Sequence, residues 1–313
     1  MRREQIPKIP SYSTMSLLVI GTLAYDDIET AHDSRKGVLG GSATYFAVAS
    51  SHFIHSHLVG VVGEDFAEKD LQALRDKGID TAGVEIAPGK TFRWGGRYEA
   101  DWNTRHTTFT DLNVLEHFDP KVPEAACNSK FVFLANAAPA VQLKGLEQVE
   151  SPEFVMADTM NLWIDIARPA LEALLKRIDA IVLNDEEARM LTGEDNLIRA
   201  AGKVLSMGPK LVLLKKGEHG AFIMGADTHF SLPAYPVKNV VDPTGAGDSF
   251  AGGFMGYVAA EGSVDPAVMR KAMLHGTVTA SFCVEDFGIE PLAMRSKDEL
   301  AGRYEELLSI VTV

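Results

Sequence analysis

The chain has 313 residues, 46% of them hydrophobic, with a formal net charge of −13 and a pI near 5.2. That length buries a sizeable core and suits one large α/β domain with an excursion. The acidity weighs against nucleic acid as a partner, because phosphate backbones call for a basic face, and it leaves small molecules as the expected ligands.

The opening stretch MRREQIPKIPSYSTMS carries charge and two prolines but no apolar h-region, so it does not read as a signal peptide. Residues 1–14 are expected to be an extension without catalytic duty, ahead of one domain over 15–313. No apolar run reaches the roughly 18 residues that a membrane-spanning helix requires. Cys127 and Cys283 stand in apolar surroundings without metal-ligand spacing, which fits a reducing compartment and a cytoplasmic protein.

From residue 16 onward, apolar runs of strand length alternate with helical patterns, the signature of a mostly parallel sheet covered by helices. The strands are read at LLVIG (17–21), HLVGVVG (57–63), KFVFLAN (130–136), FVMADT (154–159), AIVLN (180–184) and KLVLLKKG (210–217). Helices are read at GSATYFAVASSHF, FAEKDLQALRDKG, ARPALEALLKRI and DEEARMLTG. Continuous β-branched runs such as AIVLN suit strands buried on both faces.

Residues 91–110, TFRWGGRYEADWNTRHTTFT, break this rhythm. Apolar and polar residues alternate around a glycine pair, which predicts a hairpin with one face toward solvent or ligand. With residues 26–39 it is expected to form a small β-lid over the main sheet, and long excursions of this kind often carry function.

The densest motif is DPTGAGDSFAGGF, residues 242–254. The strand-like VKNVVD is read as running into the turn PTGAG and then into an apolar helix beginning near Asp248. A helix N-terminus offers unpaired N–H groups and a positive dipole end, and glycines let an anion approach the backbone. Asp248 alone is equally well a helix cap. The glycines at 245, 247, 252 and 253 favour an anion site, since each glycine inside a helix costs about 1 kcal/mol relative to alanine and needs a reason.

This stretch resembles the C-terminal signature of the ribokinase or PfkB-type carbohydrate and nucleoside kinase family, D-T-x-G-A-G-D-x-F. GVLGGSATYFAVASS supplies the family's N-terminal glycine pair at Gly40 and Gly41, and VGVVGEDFAEKDLQALRDKGIDTAGV resembles the strand-helix unit that follows it. The resemblance implies a three-layer α/β/α fold with a mostly parallel central sheet and a β-lid. It also implies an ATP-dependent phosphotransferase acting on the hydroxyl of a sugar or nucleoside.

Carried over residue by residue, the resemblance implies that Asp248 is the base toward the acceptor hydroxyl. The backbone N–H groups of Gly245, Ala246, Gly247 and Asp248 would form the anion hole for the transferring phosphoryl group. Asn184 and Glu187 in LNDEEARMLTG resemble the magnesium and phosphate motif, with Glu187 reaching Mg²⁺ through water. Asp185 and Glu186 read instead as an acidic first helical turn. Lys215, Gly217 and Thr244 are implied on the nucleotide side, while Lys216 is expected to point away from it. Asp242, the Thr244 backbone and the Gly288 loop resemble a monovalent-cation site, implying K⁺.

On the acceptor side the resemblance implies Asp26, Gly40 and Gly41, with Asp27 solvated. Ala24 and Tyr45 stand where ribokinase has asparagines, so ribose is not the implied substrate. Tyr45 and Arg105 are read as substrate contacts, since aromatics stack bases and arginines grip anions. Relatives pair through the lid, and TFRWGGRYEADW has the aromatic surface for a homodimer.

Two other classes match parts of the sequence. A dinucleotide-dependent oxidoreductase fits the βα alternation, but VIGTLAYDD lacks the G-x-G-x-x-G fingerprint, and no Walker P-loop occurs either. A catalytically silent binding protein of the same fold stays open. Against it stands the joint presence of Asp248, Gly245, Gly247 and Glu187.

Overall fold

The computed structural model describes residues 16–312, so the extension expected over residues 1–14 lies outside the described residues. In chain order the strands are β1 (Leu17–Ile20), β2 (Ala24–Glu29), β3 (Ser34–Gly40), β4 (Ser56–Gly63), β5 (Ile79–Ala87), β6 (Arg93–Tyr98) and β7 (Arg105–Asp111). They continue with β8 (Phe131–Leu134), β9 (Phe154–Asp158), β10 (Ala180–Asn184), β11 (Leu211–Lys215), β12 (Ala221–Gly225) and β13 (His229–Leu232).

Nine strands form the main sheet in the order β13-β12-β11-β10-β9-β8-β1-β4-β5. From β11 across to β5 all pairings are parallel, and β12 and β13 add an antiparallel edge. The inner strands LLVI, FVFL and FVMAD are buried at every residue. That is the burial expected when helices cover both faces of a parallel sheet.

The helices are α1 (Ser42–Ser51), α2 (Glu68–Asp76), α3 (Pro139–Leu146), α4 (Asn161–Ile166), α5 (Arg168–Leu175), α6 (Asp185–Thr192), α7 (Leu197–Leu205), α8 (Ala246–Glu261), α9 (Pro266–Cys283), α10 (Glu290–Ala293) and α11 (Lys297–Val311). Side chains of α1, α2 and α8 to α11 build the core on one face of the sheet, and those of α3 to α7 build the core on the other. Phe46 of α1 stacks on Phe133 of β8 with ring centroids 3.8 Å apart, which anchors α1 to the middle of the sheet.

Close packing of α8 explains two of its glycines. A Cβ on Gly252 would come within 2.3 Å of Phe46 O, and one on Gly253 within 2.2 Å of Thr279 Oγ1. Both glycines therefore let α8 lie against α1 and α9. The anion site expected of all four glycines therefore does not extend to these two, whose reason is packing.

The expected lid is present as a second sheet, β3-β2-β6-β7, with β2 and β6 parallel and the outer pairs antiparallel. The glycine pair of β6 makes room for two rings. A Cβ on Gly95 would strike the Phe109 ring at 2.3 Å, and one on Gly96 the Trp94 ring at 2.0 Å. One sequence expectation fails: VKNVVD (237–242) is irregular chain rather than a strand. Pro233, Pro236 and Pro243 around it lack the N–H that a ladder needs. Val241 N–H donates instead to Val284 O beyond α9.

Candidate active site

Parallel strands present their C-terminal ends to one edge of the sheet, where open α/β folds bind ligands. Here that edge and the lid enclose a cleft of about 960 Å³. Its wall includes Thr22 beyond β1, Asn136 beyond β8, Asp158 at the end of β9, Asn184 at the end of β10, Lys215 at the end of β11 and Asp248 in the first turn of α8.

The turn before α8 is shaped by Gly245, which caps the helix with φ 76°. This left-handed conformation favours glycine, and a Cβ there would also meet the Tyr45 ring at 2.3 Å. Of the four backbone donors named from the sequence, Ala246 N–H turns back to Pro243 O at 3.2 Å. Gly245 and Gly247 have no backbone partner for their N–H among the described residues, so these two leave the helix end open at the cleft, while the Asp248 N–H bears on its own carboxylate.

Asp158, Glu187 and Asp248 surround Lys215. Lys215 Nζ lies 3.8 Å from Asp158 Oδ2, with both side chains largely buried. Burial would depress the ammonium pKa, but the three carboxylates hold it above its ordinary value. Asp248 is pushed up to about 7, mainly by burial and next by Asp158, against the pull of Lys215 and Arg105. Burial likewise raises Glu187 to about 7, and it raises Asp158 despite Lys215.

Asn184 and Glu187 form a capping box on α6. Asn184 Oδ1 accepts from Glu187 N–H at 2.8 Å, and Glu187 Oε2 accepts from Asn184 N–H at 2.7 Å. The N-x-x-E spacing thus has a local structural duty, and it leaves the Glu187 carboxylate beside Lys215 with 5% of the residue exposed. Asp185 pairs with Arg189 one turn on, as an acidic first turn should. Gly217 lies in the loop after β11, where its Cβ position is 2.6 Å from Asn103 Oδ1 of the lid tip. Lys216, expected to point away, also stands on the cleft wall.

At the other end of the cleft, Asp26 of lid strand β2 is 3% exposed and raised to about 8 by burial and by Asp242, with the Gly41 backbone opposing. A Cβ on Gly40 would fall 2.0 Å from Asp26 Oδ2, so that glycine clears space for the carboxylate. Tyr45 is buried with a hydroxyl that has no hydrogen-bond partner, facing the Asp26 side of the cleft. Arg105 stands at the start of β7 with its guanidinium 5.6 Å from the Trp94 ring centre, and its charge reaches Glu187, Asp248 and Lys215. Asp27 is not simply solvated: it accepts from Arg93 Nη2 at 2.6 Å and from Gly37 N–H at 2.8 Å.

Asp242 is fully buried behind the turn. Its Oδ1 accepts from Thr244 N–H at 2.8 Å, its Oδ2 has no partner, and burial raises it to about 6. Gly288, with φ 75°, bears on it through its backbone. Thr244 Oγ1 donates to Tyr98 Oη of lid strand β6 at 3.2 Å, which ties the turn to the lid.

Sequence reasoning missed Asp158, Tyr98 and the pair Asn136–Trp163, in which Trp163 Nε1 donates to Asn136 Oδ1 at 2.9 Å. A signal existed for Asp158, since a carboxylate closing a buried run at the C-terminal end of a parallel strand stands where ligands bind. Nothing local marks Tyr98.

The family model of the pfkB family carbohydrate kinases matches residues 7–292. The chain belongs to that family. Cytidine kinase of Thermococcus kodakarensis is 31% identical over 252 residues, covering 78% of this chain and 88% of that protein. Deoxyribokinase of Salmonella typhi is 29% identical over 247 residues, covering 75% and 79%. Among solved structures, the Methanocaldococcus jannaschii nucleoside kinase superposes with a TM-score of 0.75 at 21% identity, covering 94% of this chain and 99% of that one. As a pfkB family member the protein is an ATP-dependent phosphotransferase acting on a sugar or nucleoside hydroxyl, on a ribokinase fold with a separate lid sheet. Among the described residues no helix is long and apolar enough to cross a membrane.

Proposed function

We propose that the acceptor is a nucleoside, and that Asp248 is the base that takes the proton from its hydroxyl. The observation that carries the choice of acceptor is an apolar and aromatic wall beside Asp26. Phe92, Trp94, Leu112, Leu115, Met160 and Trp163 line the same cleft, more apolar surface than a free sugar can cover. A base stacks on such rings while the ribose hydroxyls reach Asp26, and Asn136, held by Trp163, offers a polar edge for the base. The Thermococcus relative is a cytidine kinase, and a Burkholderia thailandensis nucleoside kinase solved with inosine shares the fold at a TM-score of 0.74.

In the proposed reaction the acceptor oxygen loses its proton to Asp248 and forms a bond to the γ-phosphorus of ATP, while the bond from that phosphorus to the β–γ bridging oxygen breaks. A carboxylate with pKa about 7 is matched to this task at neutral pH. Lys215, Arg105 and the open N–H groups of Gly245 and Gly247 face the charge that develops. Asn184, Gly217 and Thr244 shape the nucleotide end, and Gly40, Gly41 and Tyr45 shape the acceptor end.

The hard oxygens of Asp158 and Glu187 fit Mg²⁺ held through water, and when bound that ion neutralises phosphate charge. The orphaned Asp242 Oδ2, with Thr244 and the Gly288 loop around it, supports a K⁺ site behind the turn. The described domain, from residue 16 on, is read as one kinase unit whose lid strands carry Asp26 and Arg105.

The test is a panel of cytidine, uridine, inosine, adenosine, ribose, fructose and 2-keto-3-deoxygluconate with Mg-ATP. At least one nucleoside is expected to exceed every free sugar in kcat/KM by about a hundredfold, the discrimination of a few kcal/mol that an occupied apolar pocket supplies. Preference for a free sugar or sugar acid would overturn the choice of acceptor.

A further inference from the structure

The end of the sheet opposite the cleft carries a cluster that phosphoryl transfer does not use. His57 is the second residue of β4 and Asp80 the second of β5, and the two are register partners across the parallel pair. His55 precedes β4, and its ring meets that of His57 edge-on with centroids 5.3 Å apart. We propose that His55, His57 and Asp80 bind a divalent transition-metal ion of the Zn²⁺ type at the N-terminal end of β4 and β5.

The donor atoms of the three side chains all lie within 4.8 Å of one another. Two ligands at about 2.1 Å on a tetrahedral Zn²⁺ stand about 3.4 Å apart, so closing on an ion takes a shift of up to about 1.4 Å. One edge of the polyhedron is already brought together, inside that spacing: His57 Nδ1 stands 2.8 Å from Asp80 Oδ2. In the metal-free state a proton bridges these atoms, and an ion that replaces it keeps both. The other carboxylate oxygen, Asp80 Oδ1, accepts from Ala82 N–H at 2.9 Å, which fixes the carboxylate plane as outer-sphere bonds do in metal centres. His55 is uncommitted, since no hydrogen bond involves its ring among the described residues.

The donor chemistry selects the ion. Two imidazoles and one carboxylate suit Zn²⁺, Co²⁺ or Ni²⁺, whereas Mg²⁺ takes oxygen ligands. The nucleotide's metal at Asp158 and Glu187 and this ion are therefore separable by choice of metal. All three residues are partly exposed, so water completes the coordination and the ion exchanges with solvent. A bound ion ties the edge strand β5 and the segment after α1 to β4, next to an irregularity in the strand register between His57 and Val59.

The test uses the untagged full chain, stripped with chelator, and ZnCl₂ or CoCl₂ alone. Calorimetry should show one Zn²⁺ site with micromolar or tighter affinity. Co²⁺ should give a visible absorption band that excess Mg²⁺ does not abolish and Zn²⁺ does. His55→Gln and Asp80→Asn should each weaken Zn²⁺ at least about tenfold, with kcat unchanged when Mg²⁺ is the only metal present. His55→Gln is the deciding variant because it removes no hydrogen bond of the fold. Absence of saturable Zn²⁺ binding at 100 µM, or equal binding by wild type and His55→Gln, would overturn the proposal.

Discussion

Lys215 Nζ stands 3.8 Å from Asp158 Oδ2, in space that Gly247 leaves by lacking a side chain: a Cβ there would lie 2.8 Å from the ammonium nitrogen. One glycine of the signature thus places a cation of another strand as well as opening the backbone. Asp158, Glu187 and Asp248 all depend on that cation, because without Lys215 three buried carboxylates would face one another.

Gly247→Ala is therefore expected to displace the lysine without unfolding the chain, since the clash is with the far end of a flexible side chain. Steady-state kinetics should show kcat lowered about tenfold, with the acceptor KM changed less than twofold. Lys215→Met should cost more, about a hundredfold or above, because a preorganised charge near the phosphoryl group is removed outright.

Asp248→Asn keeps the size of the side chain and takes away the proton acceptor. A positioned base is worth about 10² to 10⁴-fold, so turnover with the true acceptor should fall at least about a hundredfold, while ATP affinity measured by calorimetry stays within a few-fold. Near-normal turnover would reduce Asp248 to an acidic residue in the first turn of α8.

With Asp248 as the proposed base, the rate should rise with pH through about 7, since a base works only when ionised and burial raises this carboxyl to about 7. Stability runs the other way. Asp26, Glu187 and Asp248 have folded-state pKa values raised to about 8, 7 and 7, above those of the unfolded chain. Their contribution is fully present below about pH 4 and is lost as pH rises through 7 to 8. Asp26→Asn should flatten the fall in Tm between pH 5 and pH 8 measured on the ligand-free enzyme. An unchanged slope would mean that Asp26 ionises freely in the folded chain.

The same residue separates the two substrates. Asp26→Ala should raise the acceptor KM at least about tenfold with the ATP KM within twofold, because Asp26 lies on the lid strand and Lys215 at the opposite end of the cleft. Equal losses for both would mark Asp26 as structural.

Gly253→Ala tests the packing role. Its Cβ would strike Thr279 Oγ1 at 2.2 Å and His275 O at 2.8 Å. Overpacking typically costs about 1 to 3 kcal/mol, which urea unfolding should read as a lowered midpoint, with ATP affinity kept.

The parallel sheet was legible because runs such as AIVL and FVMA are apolar throughout, and the lid because 91–110 alternates around Gly95–Gly96. Asp158 closes the second of those runs at the C-terminal end of its strand, a signal that composition alone does not separate from an ordinary strand end. Asn184 and Glu187 carried two messages in one spacing, a capping box and a cleft carboxylate, and only coordinates show both at once. VKNVVD misled because its valines are strand-like while its neighbouring prolines decide against a ladder. The His55–His57–Asp80 cluster was invisible for another reason: Asp80 meets His57 through sheet register, 23 residues away in sequence.

The division of the cleft between two sheets has a mechanical result. Asp26 and Arg105 ride on the lid, Asp248 and Lys215 on the body, and the Thr244–Tyr98 hydrogen bond joins the two beside the phosphoryl turn. On the proposed mechanism, an acceptor held by Asp26 and deprotonated by Asp248 would bridge the lid to the body. Occupancy of the acceptor site and posture of the lid are then one linked equilibrium, in which each molecule that fits also acts as the latch.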